Sequence, residues 1–480
     1  MEKTELKPAL VFEMFSRINA VPRPSKREEK MIDFLRRFGE ELGLETLVDE
    51  TGNVLIRKPA SKGMEQRPTV ILQSHMDMVC EKNNDVTFDF DRDAIQTYID
   101  GDWLKARGTT LGADDGIGCA MEMAILADNS LRHGPLECVF TRDEETGLTG
   151  AEGMKPGFMT GQLLINLDSE DEGELFVSCA GGCRTEATFR FTPEAAPAGS
   201  FFLQLTIKGL MGGHSGDDID KKRANANKLL ARYLYDGLKA WGLRLADIQA
   251  GGLHNAIPRE ATCLVCLPEK YKEQARVQWN LFAADVQEEF CSTESSMEFL
   301  LESADAAPVL PEDVNRRLIL ALQGVDNGIY AMSQDIALVE TSSNLASIKQ
   351  VEPGVIHVNT SQRSSLLSNR HNMAHTVAAV FELAGADVHT GEGYPGWAMN
   401  PKSEILRIAR EQYVLLFGKE PVVRGIHAGL ECGLFSEKYP GLDMVSFGPT
   451  LRGVHSPDER LLIPTVDMVW RHLLAILENV

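Results

Sequence analysis

The chain has 480 residues, of which 43% are hydrophobic. At roughly 150 residues per domain that is enough for two or three buried cores, and it excludes a small stapled scaffold. Its 48 Lys and Arg stand against 70 Asp and Glu, a formal net charge of −22, which repels phosphate backbones and anionic lipid and excludes nucleic acid as an expected partner. Apolar runs such as Val414-Leu415-Leu416-Phe417 fall far short of the ~20 residues needed to cross a bilayer, so no membrane association is expected. The N-terminal residues lack a basic and then apolar leader. The nine Cys, scattered from Cys80 to Cys432, do not suit a disulfide framework. A cytoplasmic protein with reduced thiols is expected.

In chain order, an apolar-periodic segment from Pro8 to Ala20 is followed by Val21-Pro22-Arg23-Pro24. Ser25-x-x-Glu28 then reads as a capping box opening a helix to about Leu42. Phe12, Met14 and Phe15 read as core. Short apolar strands are expected at Asn53–Arg57, Thr69–Gln73, Leu136–Thr141 and Leu163–Leu167, with a helix at Gly116–Ala127. Runs that are apolar throughout and separated by helices suit a sheet buried on both faces. From about Gly182 the pattern changes to longer alternating strands, Phe201–Lys208, Ala261–Leu267 and Ser347–Asn359, with polar helices at Lys221–Leu238 and Lys270–Phe290. After the Gly/Pro-rich break Gly391–Gly396 the alternation returns in Ser403–Phe417, Leu442–Phe447 and Thr465–Leu477. The expected fold is an α/β domain, residues 1–181 and 395–480, interrupted by an α+β insertion, residues 182–394.

Acidic and imidazole side chains cluster where the first strands end: His75-Met76-Asp77, Asp143-Glu144-Glu145 and Asp168-Ser169-Glu170. In open α/β sheets ligands sit outside the carboxyl ends of the strands, where these groups would converge. Asp114-Asp115 joins them from a Gly-rich loop before a helix. So many carboxylates repel one another unless cations intervene, and His mixed with Asp and Glu suits a pair of borderline divalent ions. His455, in Gly453-Val454-His455-Ser456-Pro457, is the imidazole available to close such a site.

Other motifs lack the chemistry that their pattern first suggests. Cys263-Leu264-Val265-Cys266 lies in a strand pattern that points its two thiols to opposite faces. His371 and His375 have the spacing of a zinc helix without its Glu, and read as an exposed helix face. Gly212-Gly213-His214-Ser215-Gly216 has His where a nucleophile elbow needs Ser.

Taken together, His75-Met76-Asp77, Gly112-Ala113-Asp114-Asp115-Gly116, Asp143-Glu144-Glu145-Thr146-Gly147, Asn166-Leu167-Asp168-Ser169-Glu170, Gly212–Gly216, Asn255-Ala256-Ile257-Pro258, His427–Gly433 and Gly448-Pro449-Thr450…His455-Ser456-Pro457-Asp458 resemble the cytosolic nonspecific, or aminoacyl-histidine, dipeptidases. These are a branch of the dizinc exopeptidases that also includes carboxypeptidase G, aminoacylase and carnosinase. The resemblance runs from about Ile18 to the last helix and implies a zinc-exopeptidase-like catalytic domain with a buried mixed sheet and an inserted lid.

The resemblance further implies two divalent metal ions, zinc with manganese or cobalt as alternatives. Asp114 would bridge them, with His75 and Asp168 completing one site and Glu145 and His455 the other. Glu144 would be the general base and Asp77 the carboxylate that holds the His75 ring. A cis peptide is implied at Asp114–Asp115, and Asp115 stands where relatives often carry Asn. His214 corresponds to a donor for the oxyanion of the tetrahedral intermediate, Arg363, expected after a strand ending at Asn359, to a lid arginine for the substrate carboxylate, and Asn255 to an assisting amide.

The activity so implied is hydrolysis of dipeptides, Xaa-His and others, with β-alanyl-histidine a candidate. The alternative is an N-acyl amino-acid amidohydrolase or carboxypeptidase on the same metals. Asp rather than Glu at 168 goes with the dipeptidases in that family, and a metal-free scaffold is disfavoured because no ligand position is lost. A homodimer is expected. Because the insertion is roughly twice the ~100 residues of a minimal domain, His214 is expected to act within its own chain.

Overall fold

The computed structural model describes residues 6–480. It resolves into two compact units, one comprising Met1–Ser178, Trp397–Gly425 and Leu430–Val480, the other Cys179–Gly396 with Ile426–Gly429.

The first unit is built on an eight-stranded sheet. Its order is Glu45–Val48, Val54–Lys58, Leu136–Thr141, Val70–His75, Leu163–Asn166, Asp443–Ser446, Glu174–Cys179 and Val422–Ile426. The four central strands, from Leu136–Thr141 to Asp443–Ser446, run parallel and the edges antiparallel, so the sheet is mixed. Every residue of Val70–His75 and Leu136–Thr141 is buried, as expected of strands covered on both faces. Helices Ala9–Asn19 and Ala113–Ala127 contribute Val11, Phe15, Ile117 and Met121 to the same core as Leu72, Phe140 and Ile165. Phe12 and Met14 are also in it. All four parallel strands deliver their carboxyl ends to one edge, where the acidic loops begin.

A separate four-stranded sheet, in the order Leu451–Arg452, Arg460–Leu462, Trp103–Ala106 and Thr97–Asp100, makes a hairpin whose loop carries His455. The capping box expected at Ser25 does not form. The second helix is Glu29–Glu41 without a side-chain cap, because the Ser25 hydroxyl donates instead to Asp77 Oδ2 at 2.7 Å and Glu28 pairs with Arg142 at 2.7 Å.

The second unit has a nine-stranded antiparallel sheet with helices Ala226–Trp241, Lys272–Glu289, Glu312–Gly324 and Leu367–Leu383. The helices and one sheet face close a core around Tyr233, Trp279, Leu205 and Phe381. Cys263 belongs to that core and Cys266 to a smaller cluster with Phe202 and Val309, so the two thiols do lie on opposite faces. Two expectations are corrected. Ser347–Asn359 is a hairpin of Val339–Glu352 and Val355–Ser364, because Pro353-Gly354 turns the chain and Gly354 takes φ +88°. The helix expected from Lys221 starts at Ala226, where Asn225 accepts from the Asn227 and Lys228 amides. Among the described residues no disulfide joins any of the nine cysteines and no helix is long and apolar enough to cross a membrane. His371 and His375 are exposed on their helix.

Candidate active site

His75 ends its strand with a ring that is almost wholly buried. Its Nδ1 lies 3.4 Å from Asp77 Oδ1, which leaves Nε2 facing Asp114 Oδ1 at 3.1 Å and Asp168 Oδ1 at 3.4 Å. The other oxygen of Asp114 lies 3.2 Å from His455 Nε2, and that nitrogen is 3.0 Å from Glu145 Oε2. Asp114 therefore presents one oxygen to each of two imidazoles, and each imidazole has a second carboxylate beside it.

Asp77 does more than orient the ring. It accepts from Ser25 Oγ and from the backbone N–H of Glu144, 3.1 Å, and of Glu145, 3.4 Å. One carboxylate thus fixes the imidazole of one loop and the backbone of the next. Asp114 sits at the kinked start of Ala113–Ala127, with φ −84° and ψ 111°, and its bond to Asp115 is cis. Asp115 turns away and accepts from Gly118 N at 3.2 Å as a helix cap.

The electrostatics describe a pocket short of positive charge. Burial pushes the Glu144 carboxyl well above the usual range, with His75 opposing and Asp168 and Glu145 adding repulsion. Burial likewise pushes Asp168 up to about 7 despite the nearby His75. His75 is pulled up although its burial opposes this, because Asp168, Asp114 and Asp77 surround it. His455 rises to about 11 through its hydrogen bonds to Asp114 and Glu145. Glu144, Asp168 and both imidazoles are thus shifted toward their protonated forms, whereas Asp114 is held below the usual carboxylate range, against its burial, by hydrogen bonds to His455 and His75.

The donor set fits metal ions. Nitrogen and oxygen ligands ~2.0–2.1 Å from a tetrahedral zinc lie ~3.3–3.4 Å from one another, and the contacts within the two groups span 3.0 to 3.4 Å. Glu145 Oε1 is buried with no hydrogen-bond partner, so an acceptor is left over.

In the second unit His214 lies on the two-residue strand Gly213–His214, paired with Ala256–Ile257. Its Nδ1 accepts from the Asp217 amide at 3.1 Å, and Arg363 Nη2 lies 3.2 Å from Nε2. Arg363 is inside the strand Val355–Ser364 rather than after a strand ending at Asn359, because the hairpin shifts the pairing. It is buried, and its Nη1 donates to the Tyr394 hydroxyl at 2.9 Å. A cavity of about 440 Å³ opens beside it, lined also by Arg184, His254 and Tyr394. Asn255 is exposed next to His214, its carbonyl accepting from Ser215 N at 2.8 Å. Gly216 is required there, since a Cβ would strike the His427 carbonyl at 2.0 Å.

Several supporting residues escaped the sequence reading. Buried Arg23 donates to the carbonyls of Asp77, 2.7 Å, and Gly112, tying the His75 loop to the Asp114 loop. Glu459, four residues after His455, accepts four successive backbone amides, Leu111 to Asp114, at 2.7 to 3.3 Å. Glu431 lies beneath the sheet edge, its carboxyl pushed to about 7 by burial, with His75 opposing. The signal for Glu459 and Glu431 was an acid within or just after a quoted motif.

Fold and site define a peptidase. Residues 71–479 match Peptidase family M20/M25/M40, and the chain belongs to that family. It is 41% identical over 483 residues to the cytosol non-specific dipeptidase of Escherichia coli (strain K12), covering 100% of this chain and 99% of that protein. Among solved structures, the aminoacylhistidine dipeptidase from Vibrio alginolyticus superposes with a TM-score of 0.94 at 43% identity, over 100% of this chain and 98% of that one. The aminopeptidase PepT from Bacillus cereus ATCC 10987, at 16% identity and a TM-score of 0.59 over 99% of both chains, shares the fold.

Proposed function

We propose that this protein hydrolyses dipeptides at a dinuclear metal site, with zinc as the resident ion. The observation that carries the reading is the Asp114 carboxylate, whose two oxygens face two different imidazoles at 3.1 and 3.2 Å. His75, Asp114 and Asp168 would hold one ion, and Glu145, Asp114 and His455 the other. Bound there, two ions would polarise the scissile carbonyl and lower the pKa of an attached water towards ~7.

The remaining work falls to side chains. Glu144, on the same loop as Glu145, takes the water proton and returns it to the leaving amine, a role that typically contributes ~10²–10⁴-fold. Asp77 keeps His75 Nε2 directed at the carboxylates by holding Nδ1. His214 donates to the developing oxyanion. Arg363, a buried guanidinium with its Nε unpartnered, grips the substrate carboxylate, and Asn255 assists. The 43% and 41% identical relatives named for dipeptidase activity support this reading over the full length.

The test is hydrolysis of a dipeptide panel by chelated protein reloaded with zinc, manganese or cobalt, against matched tripeptides, C-terminally amidated dipeptides and N-acetyl amino acids. Dipeptides with both ends free should dominate kcat/KM. Comparable rates on tripeptides and amides would refute the dipeptidase reading, and a preference for N-acetyl amino acids would transfer the site to amidohydrolysis.

A further inference from the structure

Glu431 opens the helix Glu431–Lys438 and is fully buried. Its Oε2 accepts from Gln73 Nε2 at 2.6 Å and from Thr141 Oγ1 at 2.8 Å. The chain of bonds continues across the sheet. Gln73 Oε1 accepts from Asn166 Nδ2 at 2.7 Å, and Asn166 Oδ1 accepts from Ser446 Oγ and from the Asp168 amide. Gln73, Thr141, Asn166 and Ser446 are all 0% exposed, and each belongs to a different one of the four parallel strands.

The position of this network in the sheet is informative. Gln73 and Asn166 are the last register pair between Val70–His75 and Leu163–Asn166, and His75 and Thr141 the last between Val70–His75 and Leu136–Thr141. Past these pairs the ladder closes with the backbone bonds Leu167 N to Gln73 O, Met76 N to Thr141 O and Phe447 N to Asn166 O, after which the loops that carry Glu144, Glu145 and Asp168 leave the sheet. Aliphatic side chains would pack these strand ends without cost, whereas buried amides, hydroxyls and a carboxyl are costly unless partnered, and Glu431 Oε1 is buried without a partner. A fully buried polar row at the rung where the site begins therefore serves the geometry of the loops above it.

We propose that Glu431 is a positioning residue that ties the ends of the His75 and Glu144–Glu145 strands together through Oε2, reaches the Asp168 strand through Gln73 and Asn166, and so sets the spacing of the metal ligands and the base. The inference rests on the dinuclear reading of the site. Gln at this position keeps an acceptor oxygen for Gln73 and Thr141, whereas Leu keeps most of the volume and removes it.

The experiment compares wild type, Glu431→Leu, Glu431→Gln, Thr141→Val and the Glu431→Leu/Thr141→Val double variant. Zinc affinity is measured by chelator competition, kcat and KM on a dipeptide, and thermal unfolding on the metal-free proteins. Glu431→Leu should lose ~10–100-fold in zinc affinity and in kcat, as removal of partners outside the ligand shell generally does, with KM within about twofold. Glu431→Gln should recover most of the loss. Thr141→Val should show a smaller loss of the same kind, and the double variant should be no worse than Glu431→Leu, since both substitutions break one network. Unchanged zinc affinity and kcat in Glu431→Leu, a loss confined to KM, or additive losses in the double variant would overturn the proposal. If Glu431→Leu does not fold, an unchanged Thr141→Val would do so. A wild-type protein that fails to bind two zinc ions would sink the dinuclear reading and this inference with it, whereas normal wild-type loading with a silent Glu431→Leu would sink the inference alone.

Discussion

Glu459→Gln should damage stability and metal binding together. The Glu459 carboxylate is 2% exposed. Its Oε2 accepts from Leu111 N at 2.7 Å and Gly112 N at 2.9 Å, and its Oε1 from Ala113 N at 2.7 Å and Asp114 N at 3.3 Å. A carboxamide keeps one oxygen for one of these pairs and turns an N–H donor toward the other. Two hydrogen bonds to a charged acceptor, at ~1.5–3 kcal/mol each, are then lost and two buried donors left without acceptors. Local relaxation and entering water recover part of this, leaving an expected cost of about 3 kcal/mol. At ~2–4 °C per kcal/mol, the Tm of the metal-free protein should fall by ~6–12 °C. The loop from Leu111 leads into Asp114, and Glu459 shares a hairpin loop with His455, so zinc affinity should fall ~10-fold or more as the two loops lose their common clamp. Calorimetry of the metal-free protein and chelator competition give the two numbers. A Tm within ~2 °C of wild type with unchanged zinc affinity would refute the clamp.

Three further outcomes follow from the proposed site. Glu144→Gln should retain both metals by elemental analysis yet lower kcat by ~10²-fold or more, since only proton transfer is removed; normal turnover would displace Glu144 from the role of base. Asp114→Ala should lose more metal per chain than Glu145→Ala, because only Asp114 faces both imidazoles, and equal residual occupancy would contradict a bridge. Mixing inactive Glu144→Gln with inactive His214→Ala protein under conditions of subunit exchange should leave the mixture inactive if His214 serves its own chain, whereas recovered activity would place it in a partner's site within a homodimer.

The parallel strands were legible because burial on both faces leaves a continuous apolar run, and Leu136–Thr141 runs between the expected residues. The acidic groups were legible because they stand where such runs stop. What the sequence hid were partners distant along the chain. Ser25 three residues before Glu28 is a local cap by pattern, yet its hydroxyl goes to Asp77, 52 positions away. Glu459 and Glu431 read as ordinary loop and helix-start acids until their acceptors are seen filled from other strands and loops. Arg363 and His214, 149 residues apart, meet only through the antiparallel sheet and its flanking turn. The hairpin at Pro353-Gly354 had a visible turn dipeptide, but the β-branched residues on both sides masked it.

The surroundings of His214 have a consequence for anion capture. A neutral imidazole has one accepting nitrogen, and two donors stand beside this ring, the Asp217 amide at Nδ1 and the Arg363 guanidinium at Nε2, with the Asp217 carboxylate 3.7 Å from Nδ1. Burial, followed by Arg363 itself, holds the ring below its ordinary pKa, with Asp217 and Asp218 opposing. In the tautomer whose Nδ1 accepts from Asp217, Nε2 carries the hydrogen and faces the Arg363 guanidinium 3.2 Å away. In that tautomer the contact is locally frustrated rather than stabilising. A carboxylate or oxyanion arriving between them would turn that contact into two charge-assisted hydrogen bonds, one from each N–H.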